Sequence, residues 1–167
     1  MRLRNVKYAK ELLESYPNTV IQSPKKWAGK WKEIFNNDNF IELEIGCGKG
    51  KFIYEKAQNN KDINFIGVEK FDSVIVRALE KAINEPLDNL KLLRFDALHI
   101  SEVFKDNEIQ NIYLNFSDPW PKNRQAKRRL TSPNFLKGYT KILKPNGKIY
   151  LKTDNYGLFE YSMMMLN

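Results

Sequence analysis

The 167-residue sequence predicts a single α/β domain built on a mostly parallel β-sheet flanked by helices. Three observations lead to this prediction. From residue 40 onward, short apolar runs of strand length alternate with amphipathic runs of helix length. The segments between the runs are long enough to cross over between parallel strands. The first strand also leads directly into a glycine-rich turn and a helix, as it does in many ligand-binding α/β domains.

The predicted elements follow this alternation in chain order. Residues 1–39 are predicted to form a basic N-terminal arm with a helix, and residues 40–167 the main domain. Five segments are predicted as strands: Phe40–Ile45, Asn64–Glu69, Leu90–Phe95, Asn111–Phe116 and Lys148–Thr153. Four are predicted as helices: Lys51–Gln58, Ser73–Asn84, Pro133–Leu143 and Tyr156–Leu166.

Helix boundaries are predicted from local signals. Ser23 is expected to be the N-cap of the helix in the arm, with Pro24 at its first position. Trp27, Trp31 and Phe35 would then share one face of that helix together with Ile34. Such a stripe favours core packing, although two tryptophans could also stack on nucleic-acid bases. Asn146-Gly147 is expected to close the helix that begins at Pro133.

Positive charge is concentrated in one segment. The chain has 28 Lys and Arg against 20 Asp and Glu, a net charge of +8. No acidic residue lies between Asp118 and Asp154, and that stretch holds ten basic ones, which leaves 18 basic and 20 acidic residues elsewhere. Such a block suggests a polyanionic partner, nucleic acid before membrane, although a solvated basic face has the same composition.

Cysteine content and the N-terminus indicate the compartment. The one cysteine, Cys47, excludes a disulfide framework and a cysteine-rich zinc site, and it favours a reducing compartment. The N-terminus lacks the apolar stretch of a secretory signal, and no segment approaches the roughly 18 uncharged residues of a membrane span. We therefore predict a cytoplasmic protein without a membrane partner or a metal.

A glycine loop follows the first predicted strand. Gly46, Gly48 and Gly50 form a G-x-G-x-G pattern, in which glycine lets the backbone adopt positive φ and approach a ligand closely. A dinucleotide fingerprint would place glycine at position 51, where this chain has Lys51. Glu44 is a poor neighbour for a pyrophosphate and a good one for a cation. S-adenosylmethionine, with an ammonium and a sulfonium but no phosphate, matches this pattern.

Two further acids end the next two predicted strands. Glu69 is placed to accept hydrogen bonds from both ribose hydroxyls of a nucleoside, and Asp96 to reach a base. Each acid alone could be an ordinary surface residue. Three acids at successive strand ends behind a glycine loop indicate a site for a cationic nucleoside.

The fourth predicted strand leads into the hexamer Ser117-Asp-Pro-Trp-Pro-Lys122. Its two prolines are expected to keep the residues before them extended, which would hold Asp118 at the carboxyl end of the strand. A basic run, Asn123–Arg129, follows in a stretch predicted to be irregular. His99, the one histidine, is expected to be structural.

These motifs resemble the bacterial tRNA (guanine-N7-)-methyltransferase family. The resemblance covers nearly the whole chain and rests on FIELEIGCGKG, GVEK, RFDA, FSDPWPK and KTDN. FSDPWPK with the basic run after it is the most specific part, whereas GCGKG is shared with most class I methyltransferases. The resemblance implies a Rossmann-like class I fold, S-adenosylmethionine as methyl donor, and methylation of guanosine N7 in the variable loop of tRNA.

The resemblance also implies roles for individual residues. Asp118 would be the central active-site acid. The residues implied to contact the methyl donor or shape its loop are Glu44, Gly46, Gly48, Glu69, Asp96 and Asp118. Those implied to bind guanosine are Lys122 and Asp154. Those implied to contact RNA are Arg124, Lys127, Arg128 and Arg129.

The family continues past the last predicted helix into further strands and a Thr-x-Tyr-Glu segment that helps hold the guanosine. This sequence ends at Asn167, so we expect a truncated form without the C-terminal antiparallel hairpin, with Lys148–Thr153 as an exposed edge. Three alternatives stay open: an impaired form that binds S-adenosylmethionine or RNA, a methyltransferase for another substrate, and NAD-dependent redox chemistry, which Lys51 and Glu44 disfavour.

Overall fold

The sheet consists of five strands: β1 (Ile41–Ile45), β2 (Asn64–Glu69), β3 (Leu90–Arg94), β4 (Ile109–Asn115) and β5 (Leu143–Lys152). The computed structural model describes residues 8–167. The strands lie in the order β3-β2-β1-β4-β5, and all four neighbouring pairs are parallel. The predicted parallel α/β fold is therefore confirmed.

Helices cover both faces of this sheet. The α-helices that the structure describes are α1 (Ala9–Ser15), α2 (Trp31–Phe35), α3 (Lys51–Asn59), α4 (Asp72–Asn84), α5 (Pro133–Ile142) and α6 (Tyr156–Leu166). Three short 3-10 helices span Pro24–Trp27, Ala97–Glu102 and Asn123–Arg128. Within residues 8–167, no helix combines the length and the apolar character that a membrane crossing requires.

The core divides into layers because alternate strand residues point to opposite faces. On one face, Leu43, Ile112 and Leu114 pack with residues of α2, α5 and the Ala97–Glu102 helix in the largest apolar cluster. On the other face, Phe65 and Leu92 belong to smaller clusters formed with α1, α3 and α4. Both faces of β1 and β2 are therefore covered, and the one face of β1 that carries Glu42 and Glu44 is buried as well.

Chain order places a switch point between β1 and β4. The chain runs outward from β1 through β2 to β3, then returns to the opposite side of β1 for β4 and β5. The helices that follow β1 and β4 therefore diverge at this point, which leaves a crevice at the carboxyl ends of the strands. Ligands of open α/β sheets bind in such a crevice.

The single helix predicted for the N-terminal arm is wrong. Pro24–Trp27 forms a 3-10 turn, and a break at residues 28–30 separates it from α2. Ser23 has a φ of 50° and no side-chain capping bond. The expectation of core packing does hold for Trp31, which is fully buried and donates from Nε1 to the Val103 carbonyl at 2.7 Å. Gly29, with a φ of 80°, lies in the break.

The helix from Pro133 ends within one residue of the predicted Leu143, but the expectation that Asn146-Gly147 closes it is wrong. The helix ends at Ile142, and Asn146-Gly147 lies inside β5. Pairing jumps from Ile109–Leu143 to Asn111–Lys148, so residues 144–147 bulge opposite Gln110. A Cβ on Gly147 would lie 2.6 Å from the Gln110 carbonyl oxygen, so this close approach requires glycine. Beyond the bulge, β5 pairs only with β4 and forms an edge of the sheet.

Candidate donor and acceptor site

An open cleft of about 1000 Å³ lies at the carboxyl ends of the strands. Its lining includes Gly46, Gly48, Glu69, Asp96 and Asp118. These residues come from four different turns, and the parallel sheet brings them to one edge. The cleft therefore unites every residue predicted for the donor site except Glu44.

The glycine loop is fixed to β2 by backbone hydrogen bonds. The N–H groups of Gly46 and Cys47 both donate to the Val68 carbonyl, at 2.8 and 2.9 Å. Gly46, Gly48 and Gly50 all have positive φ, at 73°, 58° and 82°. A Cβ added to Gly48 would meet nothing within 4 Å, so the loop leaves open space on its cleft side.

Glu69 joins the glycine loop to the start of α4. One carboxylate oxygen accepts from the Gly48 N–H at 3.2 Å, and the other from the Phe71 N–H at 3.1 Å. Each oxygen keeps a further lone pair for a ligand. The two bonds fix the orientation of the carboxylate, which suits it to a pair of ribose hydroxyls.

Asp96 caps the short helix Ala97–Glu102 and faces the same cleft. Its Oδ1 accepts from the Leu98 N–H at 3.0 Å, and its Oδ2 lies 3.7 Å from the Lys70 ammonium. The cleft wall near the two acids includes Phe71, Val74 and Leu98. Sequence reasoning missed these apolar residues. Their sequence positions could have identified two of them, because Phe71 and Leu98 each lie two residues after an acid at a predicted strand end.

Glu44 lies outside the cleft lining. Its side chain points to the α3 face of the sheet, where it is only 3% exposed and accepts from Asn115 Nδ2 at 3.0 Å. Burial raises the pKa of Glu44 to about 7, against the opposing effect of the Asn115 hydrogen bond. Its Oε1 has no hydrogen-bond partner among residues 8–167. The predicted direct contact of Glu44 with the donor therefore stays a prediction.

The loop that carries Asp118 is strained. Phe116 and Trp120 have φ of 51° and 44°, in the left-handed region that side chains other than glycine rarely adopt. The expectation of extended residues before both prolines is therefore wrong for Trp120, which precedes Pro121. The Arg129 guanidinium binds the carbonyls of Pro119 and Trp120 and so favours this turned backbone.

The basic run divides into residues that reach the cleft and residues that do not. Lys127 and Arg128 belong to the lining, and the Arg128 guanidinium lies 5.0 Å from the centre of the Trp120 ring. Lys122 and Arg124 are exposed and lie outside the lining. The run is also more regular than predicted, since residues 123–128 form a 3-10 helix.

Two further predicted residues stand apart from the cleft. Asp154 is exposed between β5 and α6 and does not line the cleft, so its guanosine-binding role stays a prediction. His99 lies in the Ala97–Glu102 helix with Nδ1 3.2 Å from a carboxylate oxygen of Glu102. Within residues 8–167, no group of three or more His, Cys, Asp or Glu could hold a metal ion.

The cleft fits a cationic nucleoside. Glu69, Asp96 and Asp118 are acidic, and apolar side chains can enclose a base. The open space beside Gly48 admits a ligand close to the backbone. S-adenosylmethionine, a nucleoside with a positively charged sulfur, matches these features.

Two solved structures that share this fold are methyltransferases. An antibiotic-related methyltransferase superposes with a TM-score of 0.59 at 18% identity, covering 76% of this chain and 62% of that one. A 16S rRNA (adenine(1408)-N(1))-methyltransferase from Catenulisporales acidiphilia, solved with S-adenosylmethionine as cosubstrate, gives 0.60 at 14% identity, covering 78% and 62%. At these identities the superpositions show a shared fold, the Rossmann-like fold of class I methyltransferases.

Sequence relatives narrow this class. The tRNA (guanine-N(7)-)-methyltransferases of Bacillus cytotoxicus and Enterococcus faecalis are 52% and 53% identical to this chain, over 99% and 98% of its length and 76% of theirs. The chain belongs to the tRNA (guanine-N(7)-)-methyltransferase family, which confirms the predicted resemblance. A family model described as "Putative methyltransferase" also matches residues 38–167.

Proposed function

We propose that this chain transfers the methyl group of S-adenosylmethionine to N7 of a guanosine in tRNA. Family membership supports the reaction and its substrate. The observation that carries the proposal is the meeting of Glu69, Asp96 and Asp118 in one cleft that Lys127 and Arg128 also line. The acids suit the cationic donor, and the basic residues suit RNA.

The donor half of the cleft binds by charge and shape. Glu69 accepts from the ribose hydroxyls, while Asp96 and the apolar wall with Phe71 and Leu98 hold the base. Gly46 and Gly48 let the backbone approach the amino-acid end of the donor. When bound, the donor supplies an electrophilic methyl group on a positively charged sulfur.

The acceptor needs orientation rather than deprotonation. Guanine N7 carries an available lone pair, so a strong general base is unnecessary. Asp118, on the loop after β4, is placed to orient the guanine and to stabilise the positive charge that the base acquires. The base must leave its stack to enter the cleft, which favours an exposed nucleotide such as one in the variable loop.

Basic residues hold the RNA in register. Lys127 and Arg128 on the cleft, with Lys122 and Arg124 beside it, are placed to bind phosphates without reading sequence. Asp154 would bind the guanosine from the β5 side. A tRNA substrate also agrees with the predicted cytoplasmic location.

The test is methylation of tRNA by the purified chain. Unmodified tRNA and donor with a labelled methyl group are incubated with the protein, and the labelled nucleotide is mapped. We expect 7-methylguanosine at one position in the variable loop, and calorimetry should detect binding of S-adenosylmethionine and none of NAD. Label in another nucleotide or in protein alone would contradict the proposal, as would binding of tRNA without transfer.

A further inference from the structure

Arg129 differs from Arg124 and Arg128 because its guanidinium donates hydrogen bonds to the backbone of the preceding loop. Nε donates to the Pro119 and Trp120 carbonyls, both at 3.1 Å, and Nη2 donates to the Trp120 carbonyl at 2.9 Å. The guanidinium carbon also lies 4.5 Å from the centre of the Tyr161 ring. These contacts use Nε and Nη2, which form one edge of the planar fork on which an RNA phosphate could otherwise bind.

The carbonyls that Arg129 binds belong to the strained part of the loop. Trp120 has a φ of 44° although a proline follows it. A side chain other than glycine stays in this conformation only where its surroundings hold it there. Pro119 follows Asp118 directly, so the hydrogen bonds of Arg129 constrain the peptide next to the active-site acid.

Residues of α6 contact Arg129 and a residue close to it in sequence. Tyr161 provides the aromatic face against which the guanidinium lies. One residue further on, the buried Ser162 hydroxyl is 2.7 Å from the Thr131 hydroxyl, two residues after Arg129. Contacts thus run from α6 through Arg129 to the loop that carries Asp118.

We propose that Arg129 is a positioning residue that holds Asp118 toward the cleft, and that it does not bind an RNA phosphate. This inference rests on the proposed function and replaces the predicted RNA contact of Arg129. A guanidinium fork is required because three donor–acceptor pairs converge on two carbonyl oxygens. Lysine keeps the charge but offers no fork.

The test compares Arg129→Lys and Arg129→Gln with Arg124→Gln, a matched loss of charge at an exposed position of the same run. We expect kcat to fall about 10- to 100-fold in both Arg129 variants, since small displacements of reacting groups carry penalties of this order. KM for the donor should stay within threefold. Arg124→Gln should instead raise KM for tRNA and lower the salt slope of tRNA binding by about one.

Two results would overturn the proposal. One is recovery of most of the wild-type kcat in Arg129→Lys. The other is a salt slope that falls in Arg129→Gln as it does in Arg124→Gln. If thermal unfolding or donor binding shows that Arg129→Gln is misfolded, Arg129→Lys decides alone, because it keeps the charge and most of the aliphatic stem.

A second measurement separates this proposal from the proposed function. Trypsin cleavage after Lys122 and Arg124 reports how firmly the loop is held, without any substrate. Both Arg129 variants should be cleaved at least several-fold faster than the wild type. If the wild-type chain fails to methylate tRNA, the proposed function fails, while cleavage still tests the role of Arg129, and an unchanged rate would contradict it.

Discussion

The parts of the cleft that we propose to bind the donor and the acceptor, here called the donor half and the acceptor half, are built differently. In the donor half, the Glu69 and Asp96 carboxylates accept hydrogen bonds from nearby backbone N–H groups at the ends of regular strands. In the acceptor half, Asp118 lies between two left-handed residues, Phe116 and Trp120. Arg129, which lies further along the chain and also contacts α6, donates hydrogen bonds directly to this loop.

This difference shows where each half gets its precision. The donor half is organised by local hydrogen bonds that form once the strand and its turn have formed. The acceptor half instead depends on Arg129, which bonds to the loop and also contacts Tyr161 of α6. Substitutions in the donor half should therefore act on donor affinity, and substitutions in the acceptor half on turnover.

The largest effect is expected for Asp118→Ala. Methyl transfer at saturating substrate should fall about 100-fold or more, because the positive charge that develops on guanine loses its counter-charge. The measurement is the single-turnover rate with labelled donor. Asp106→Ala, at an exposed acid outside the cleft lining, is the control and should keep the wild-type rate. Wild-type turnover in Asp118→Ala would remove the acid from the mechanism.

A smaller effect, on affinity rather than rate, is expected for Glu69→Ala. Donor affinity should fall about 10- to 100-fold, since hydrogen bonds to a charged group contribute about 1.5–3 kcal/mol. Titration calorimetry with S-adenosylmethionine measures it, with Glu55→Ala on the exposed side of α3 as control. Equal affinities in Glu69→Ala and wild type would show that the cleft binds its donor by other groups.

Two glycines of the same loop should respond differently to substitution by alanine. A Cβ on Gly50 would lie 2.7 Å from the Ala78 Cβ, so Gly50→Ala should lower the free energy of unfolding by about 2–3 kcal/mol. Gly48→Ala meets no neighbour within 4 Å and should cost about 1 kcal/mol through its positive φ alone. Its methyl group would occupy the cleft, so donor affinity should fall. Urea unfolding and calorimetry separate the two, and equal stability losses would contradict this assignment.

The pH dependence of stability should show the effect of Glu44. Burial raises its pKa from 4.5 to about 7, so the folded state binds more protons than the unfolded state between these values. The contribution of Glu44 to the free energy of unfolding is then fully present below pH 4.5 and is lost as the pH rises through 7. The loss is about 3 kcal/mol at most.

Glu44→Gln tests this effect with little change of shape. The variant should gain stability relative to the wild type between pH 5 and pH 8, as measured by urea unfolding at both values. A constant difference across that range would mean that the carboxyl does not titrate there. Donor affinity of this variant, measured at both pH values, would also test the predicted contact of Glu44 with the donor. Glu44 lies outside the cleft lining, so an affinity equal to that of the wild type would argue against the contact.

Strand positions and the glycine loop were predictable from the sequence because their signals are local. An apolar run bounded by turn residues marks a strand wherever it lies, and Glu69 and Asp96 were found because each comes where a strand ends. The N-terminal arm shows the limit of such signals. Ser23-Pro24 has the composition of a helix start, yet the chain turns at Gly29, and α2 begins only where Trp31 enters the core.

The sequence by itself determined which segments form strands, the glycine loop after the first strand and the acids at the strand ends, since all three depend on neighbours along the chain. Tertiary structure decided that Glu44 bonds to Asn115 outside the cleft lining, that Gly147 lies in a bulge of β5, and that Arg129 bonds to the carbonyls of Pro119 and Trp120. Each of these outcomes depends on a partner about 10 to 70 residues away. The local sequence around a charged residue or a glycine does not indicate which distant group will pack against it.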